Sequence, residues 1–388
     1  MKRLILLSTV LSFPLFASTP KWNLCDVSLL FPLDAKLLSP ADSGSNGPLL
    51  SRALFDRVPP LTDTGVSRNE IYQNQLKLVS IRIDPCPNTF DERLCSPEIR
   101  LIWQPVTKDE QTKEWIGEDA TLHSFYAISK SEFQEFKVAL MKWKMANEQD
   151  GLSTSLMPLG VHPALGRGPK REALQSLLLK TVGEKNIYKL TFMSLLTRNV
   201  WWRFGGIEKN GGTWARVKIP RITSPFQDIF NSALEENAPE NNSGLKMNTD
   251  ITLDIQDYPL EDNLLYLTSE GFRYNDERDQ KVFFEKLSAI DRFRNPMKTN
   301  PTTLDCASCH YADNAKFYAE SQFPSLKNIQ TKDAFINPDK TLFDLENKTI
   351  GPKGTRLVRA FGYFQEKPSI GQRTINDSAM SADWMNKH

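Results

Sequence analysis

Cysteine and histidine are scarce in this 388-residue chain, with five of the first and four of the second. Five is odd, so the cysteines must divide into pairs and a remainder. A charge surplus is lacking too. With 48 Lys and Arg against 47 Asp and Glu the net charge is +1, which offers no field for nucleic acid or an acidic membrane. Beyond the N-terminus no stretch reaches about 18 apolar residues, so no integral membrane span is expected. The signatures G-x-S-x-G, G-x-x-x-x-G-K-[ST], H-E-x-x-H and G-x-G-x-x-G are all missing, as are internal repeats and low-complexity tracts. What remains is 40% apolar and 24% charged, a globular composition. It excludes a disordered chain, a collagen-like fibre and a multi-span membrane protein. At roughly 150 residues per domain, two or three domains are expected.

Residues 1–17 read as a Sec-type signal peptide. Lys2 and Arg3 form a basic start, Leu4 to Phe16 an apolar run and Ala17 a small residue before a cut. A run of about 13 residues is too short to span a bilayer. A buried N-terminal helix is the competing reading, weakened by Ser12 and Pro14. The expected location is therefore periplasmic or secreted, where paired cysteines form disulfides or attach cofactors. Cys25 follows soon after, but Trp22-Asn23-Leu24 lacks the small residues that precede a lipid-modified cysteine.

Downstream, residues 38–68 are turn-rich. Leu76 to Asp84 and Glu98 to Gln104 alternate as strands. Cys86 and Cys95 flank the loop between them and are expected to form a local disulfide. Ser129 opens a helix with a capping box, carrying Phe133, Phe136, Leu140 and Trp143 on one face. A second helix starts at Pro169 and buries Leu174, Leu177 and Leu178. Ile187 to Leu196, Val200 to Phe204 and Trp214 to Ile222 read as strands, with a hairpin turn at Asn210-Gly211. Residues 235–250 are polar and mark the best domain boundary. Asn241 and Asn347 sit in N-x-[ST] sequons, which matter only in a glycosylating host. Beyond the boundary, Asn275 caps a helix with Phe283, Leu287 and Ile290 on one face, stopped at Asn295-Pro296. Tyr311 to Ser321 is helical, Leu357 to Phe364 a strand, and a last helix runs from about Asn376.

Cys306-Ala307-Ser308-Cys309-His310 is C-x-x-C-H, the attachment signature of c-type haem. Cysteines three apart on an opening helical turn point their sulfurs the same way, and the next residue supplies an imidazole. Asp305 is placed to cap that helix. A Cys306–Cys309 disulfide, a zinc site and free thiols are the competing readings. No thioredoxin-like context supports the first, and Cys86 and Cys95 lack the spacing for a second zinc pair. In this region the chain resembles the c-type cytochromes, whereas residues 18–240 resemble no cytochrome module. The resemblance implies one covalent haem c, with Cys306 and Cys309 as thioether anchors and His310 as proximal iron ligand. The expected fold class is then α+β: an N-terminal mixed β/α domain of unknown role (18–240) followed by a mainly helical cytochrome c-like haem domain (250–388).

Met380 is the tentative distal ligand, with Met385 further on. Met297 lies close before the motif, and His123, His162 or His388 would serve a bis-histidine site. Thioether ligation raises the potential, bis-histidine lowers it, and an open position permits ligand binding. The first functional expectation is one-electron transfer to or from an exported redox partner protein. The alternatives are a haem enzyme acting on a small oxidant and an envelope binding module with a secondary haem site. Cys25 is left over, implying an intermolecular bond, a buried thiol, or a pairing with Cys86 or Cys95 in place of the loop disulfide.

Overall fold

The computed structural model describes residues 20–388 apart from 35, 63–64, 87–95, 197–200, 221, 223, 232–244, 248–283, 285–286, 323–328 and 350–360. The leader, Cys95, the 235–250 boundary apart from 245–247, Asn241, Asn275 and Phe283 fall outside these residues. In chain order the strands are β1 (Ser28–Leu30), β2 (Ser43–Gly44), β3 (Gly47–Pro48), β4 (Leu76–Asp84), β5 (Glu98–Lys108), β6 (Trp115–Gly117) and β7 (Ala120–Ala127). They continue with β8 (Ile187–Leu196), β9 (Trp201–Asn210), β10 (Thr213–Arg216), β11 (Gln227–Asn231), β12 (Leu245–Met247), β13 (Phe361–Phe364) and β14 (Lys367–Ile370). The principal helices are α1 (Leu24–Val27), α2 (Lys130–Gln149), α3 (Gly168–Thr181), α4 (Cys306–Gln322) and α5 (Gln372–Lys387).

One antiparallel sheet organises the molecule, with its path running β1-β4-β5-β7-β8-β9-β11-β12. Side chains alternate between its faces. Ile81 pairs with Leu101 and Ile83 with Ile99, and these join the core with Phe133, Phe136 and Leu140 of α2 and Leu174 and Leu178 of α3. The capping box expected at Ser129 is present, Ser129 Oγ accepting from the Glu132 amide at 3.2 Å while Glu132 accepts from the Ser129 amide at 3.0 Å. The turn at Asn210-Gly211 joins β9 to β10, with Gly211 and Gly212 both at positive φ.

The opposite face carries Ser80, Arg82 and Asp84 of β4 and Glu98, Arg100, Ile102 and Gln104 of β5. Such alternation reads as a solvated face, yet this one is covered. The β13–β14 hairpin lies on it through buried Gln104. Its Nε2 donates to the Tyr363 and Glu118 carbonyls at 2.7 Å each, and its Oε1 accepts from the Tyr363 amide at 3.0 Å. Gln104 fits because Gly117 and Gly362 have no side chains. A Cβ at either would come within 2.7 Å and 2.9 Å of its amide.

The mainly helical C-terminal region expected from the sequence is not what these residues form. They divide between α4, α5, a helical stretch at 287–293 that ends before Asn295-Pro296, and the hairpin. The last helix starts at Gln372, four residues before Asn376. One core cluster holds Trp22, Leu101, Phe361, Ile375 and Met385 together, so segments 18–240 and 250–388 share it. Cys25 is free and fully buried, its Sγ 3.6 Å from the Pro158 carbonyl, and burial pushes its thiol up to about 12. The odd cysteine is therefore a buried thiol.

Candidate functional site

The first turn of α4 is fixed from both sides. Asp305 caps it, Oδ1 accepting from the Ser308 amide at 2.9 Å and Oδ2 from the Ser308 hydroxyl at 2.6 Å. Gln227 of β11 donates to Asp305 Oδ1 at 2.7 Å and accepts from the Ala307 amide at 2.9 Å. Cys306 and Cys309, three apart, both open on a cavity of about 210 Å³ with His310 beside them. They pack against a cluster formed by Met193, Trp202 and Phe204 of the sheet and Ile290 and Phe293 of the helical stretch. The His310 ring lies 5.0 Å from that of Phe204.

Both thiols are free. Burial pushes Cys306 up to about 12, with Asp305 adding to the effect, and raises Cys309 as well. Reactive redox cysteines need accessible thiolates. Among the described residues no group of three or more His, Cys, Asp or Glu gathers to hold a metal ion. The zinc and redox-disulfide readings of Cys306 and Cys309 thus find no support in this geometry. Cys86 is disulfide-bonded; Cys95, its expected partner, lies outside the described residues.

Met380 lines the same cavity from α5, one face of which presents Arg373, Asp377 and Met380 at helical spacing. Arg373 ties α5 to the approach of the C-x-x-C-H turn, donating to the Thr299 hydroxyl and carbonyl at 2.7 Å each. His123 lines the cavity from β7, its Cα paired with Ile102 and Thr191. Burial holds its imidazole well below the usual histidine range, with Arg100, His310 and Arg82 lowering it further.

The other expected ligands lie elsewhere. His162 is buried beside Trp143, ring centroids 5.0 Å apart, with Nδ1 accepting from the Ala164 amide at 3.1 Å. Burial brings it down to about 3, and its role is to cap a short helical turn. His388 stacks on Trp384 at the end of α5, Met385 belongs to the main core and Met297 is exposed.

The cavity wall formed by β4 and β5 is charged. Arg82 meets Asp377 at 3.0 Å and Arg100 meets Glu98 at 3.0 Å, while the Tyr188 hydroxyl also donates to Glu98. Asp84 pairs in register with Glu98, and burial together with that neighbour raises it to about 6. Since the folded carboxyl binds its proton more tightly than the unfolded one, its contribution is present below about pH 4 and lost as pH rises through about 6. Thermal melts from about pH 4 to 8 are expected to show wild-type stability, relative to Asp84→Asn, falling across that window. A flat difference would refute the assignment.

Sequence reasoning missed β7, and with it the placement of His123. The signal was present in Thr121 to Tyr126, where β-branched, aromatic and apolar residues run together. Comparison with protein-family models, with curated proteins and with solved structures finds no match to this chain.

Proposed function

We propose that the chain is an exported monohaem c-type cytochrome-like protein that passes single electrons to or from an exported redox partner. The observation that carries this is the convergence of Cys306, Cys309 and His310 on one cavity that Met380 and His123 also line. The donor set fits an iron porphyrin: two free thiols on one helical face, an adjacent imidazole, and a thioether or second imidazole from another element. Cys306 and Cys309 would hold the porphyrin as haem c, with His310 as proximal ligand and Met380 as distal ligand. When bound, haem supplies a one-electron couple, whose potential a thioether raises and a second imidazole lowers. The protein's part is to fix the two thiols through Asp305 and Gln227, and to keep bulk water from the site with the α4–α5 layer. The C-terminal region would then be the haem-bearing part of a fold whose sheet forms the other wall. Residues 1–17 would act as the export signal, the location would be periplasmic or secreted, and Cys86 would pair with Cys95. No helix among the described residues is long and apolar enough to cross a membrane.

A haem enzyme acting on a small oxidant is the second reading, favoured by His123 and Arg100 on the wall of the same cavity. Absorption spectra of the export-matured full chain separate the two. The carrier is expected to be low-spin and indifferent to CO, and Met380→Ala to become high-spin and bind CO while His123→Ala stays low-spin. If His123→Ala converts instead, the distal ligand is imidazole. A wild type that is already high-spin and binds CO replaces the carrier with the enzyme.

A further inference from the structure

The charged wall of the cavity has no part in anchoring the iron. Arg82 of β4 and Arg100 of β5 are direct partners in the ladder, and both line the cavity. Like charges opposite one another on a sheet repel, and an enclosed guanidinium is costly unless anions meet it. Three of the chain's carboxylates, Asp84, Glu98 and Asp377, face this pair, and the latter two are shared with other donors. Asp377 serves Arg82 at 3.0 Å but also Arg373 at 3.0 Å. Glu98 serves Arg100 at 3.0 Å and also accepts from Tyr188. The Nε of Arg100 is buried without a partner. Arg100 is held in place by Phe125, whose ring lies 4.3 Å from the guanidinium carbon.

Position adds a second argument. The turn bearing Cys306 and Cys309 sits by β9 and β11, through the Phe204 cluster and Gln227. From β9 to β5 is three strand spacings in the sheet order, about 14 Å, and the arginine side chain shortens that gap. A porphyrin carries its vinyl groups on one edge and its two propionates on the opposite edge. Anchored by its vinyls at the cysteines, it would bring its carboxylates to the β4–β5 end.

We propose that Arg82 and Arg100 form a carboxylate-binding site on the β4–β5 wall of the cavity, and that its ligand is the propionate edge of the haem. This rests on the haem reading. A guanidinium matches a carboxylate through paired N–H donors, which an ammonium cannot reproduce. A free small carboxylate shares the same chemistry and is the other source the experiment must separate.

The experiment uses the export-matured full chain as wild type, Arg82→Gln, Arg100→Gln and Arg100→Lys, with Arg167→Gln as a control at an exposed position. Covalent haem on a denaturing gel tests the haem reading by itself. Resonance Raman propionate bending modes are expected to shift in Arg82→Gln and Arg100→Gln and to stay in place in Arg167→Gln. The midpoint potential is expected to fall in both glutamine variants, since a cation beside the site has gone. Arg100→Lys should restore the potential more fully than the Raman modes, because charge returns without the planar fork. The second arm adds sodium acetate and follows the melting temperature. Haem present, modes unmoved and an acetate shift lost in Arg100→Gln would assign the site to a free carboxylate and overturn the propionate assignment. Haem present with neither response overturns the site altogether. If the wild type carries no covalent haem, the haem reading fails and takes the propionate assignment with it, and the acetate arm alone then decides whether the arginine pair binds carboxylates. Should Arg100→Gln not fold, Arg82→Gln and Arg100→Lys carry the comparison.

Discussion

Replacing Cys306 and Cys309 together by alanine is expected to abolish covalent haem in the export-matured protein, leaving the boiled chain without a haem stain on a denaturing gel. Each single substitution should leave one thioether and a weakened stain. The expectation follows from geometry. The two free thiols share one helical face, fixed by the Asp305 cap and by the Gln227 bridge to β11. Thiols three apart on one helical face suit two thioether bonds to one porphyrin edge. Stain retained by the double variant, or missing from the wild type, would end the cytochrome reading. A chaperone-free melt of the same variants checks that the fold survives, since alanine at these half-buried positions removes little apolar area.

The largest stability effect is expected far from the cavity, at Lys144. Its ammonium meets Asp26 at 2.9 Å with both side chains almost fully enclosed, 3% and 2% exposed. Asp26 also accepts from the Thr154 hydroxyl and the Asn23 amide at 2.8 Å each, and Lys144 reaches Glu148 at 2.7 Å. Burial still pulls the Asp26 carboxyl upward, so its charge depends on Lys144. Lys144→Ala strands that carboxylate and is expected to cost about 3–5 kcal/mol in urea unfolding. Lys144→Met with Asp26→Asn should cost less than Lys144→Ala alone, because no charge is left unpaired. Equal losses for the two would show that packing, rather than the ion pair, holds α1 against α2.

Much of the local structure was legible in the sequence. The alternation in Leu76 to Asp84 and Glu98 to Gln104, the capping box at Ser129, Pro169 at a helix start and Asn210-Gly211 each specify an element through its own neighbours. The Asp305 cap and the shared face of Cys306 and Cys309 were legible for the same reason. What covers a strand is not local information. Arg82, Glu98 and Arg100 alternate with apolar residues as a solvated face would, and the packing of α5 and the β13–β14 hairpin, with Phe125 and Tyr188 beside them, encloses them. Pro368 concealed β14, since proline is tolerated only where its missing N–H is not needed. His162 stands beside Pro163 in the sequence as a candidate ligand, yet its amide donates to the Leu30 carbonyl at 3.0 Å and the residue is buried away from the cavity.

Trp22 and Asn386 exchange two hydrogen bonds across 364 residues of sequence, the Trp22 amide donating at 2.8 Å and the Asn386 side chain returning one to the Trp22 carbonyl at 3.1 Å. Ser28 and Ser378 share another at 2.6 Å. The two ends of the described fold are thus fastened to each other like a clasp. Contacts of such separation bear the greatest loop-closure entropy and form late. Because α5 carries both this fastening and Met380, the α5 wall of the cavity closes only after the chain is complete. The Asp305 cap of the turn bearing Cys306 and Cys309 is local, and its Gln227 bridge spans 80 residues, far fewer than the fastening of α5. On the proposed haem reading, a large planar ligand would have its way in before this fastening closes.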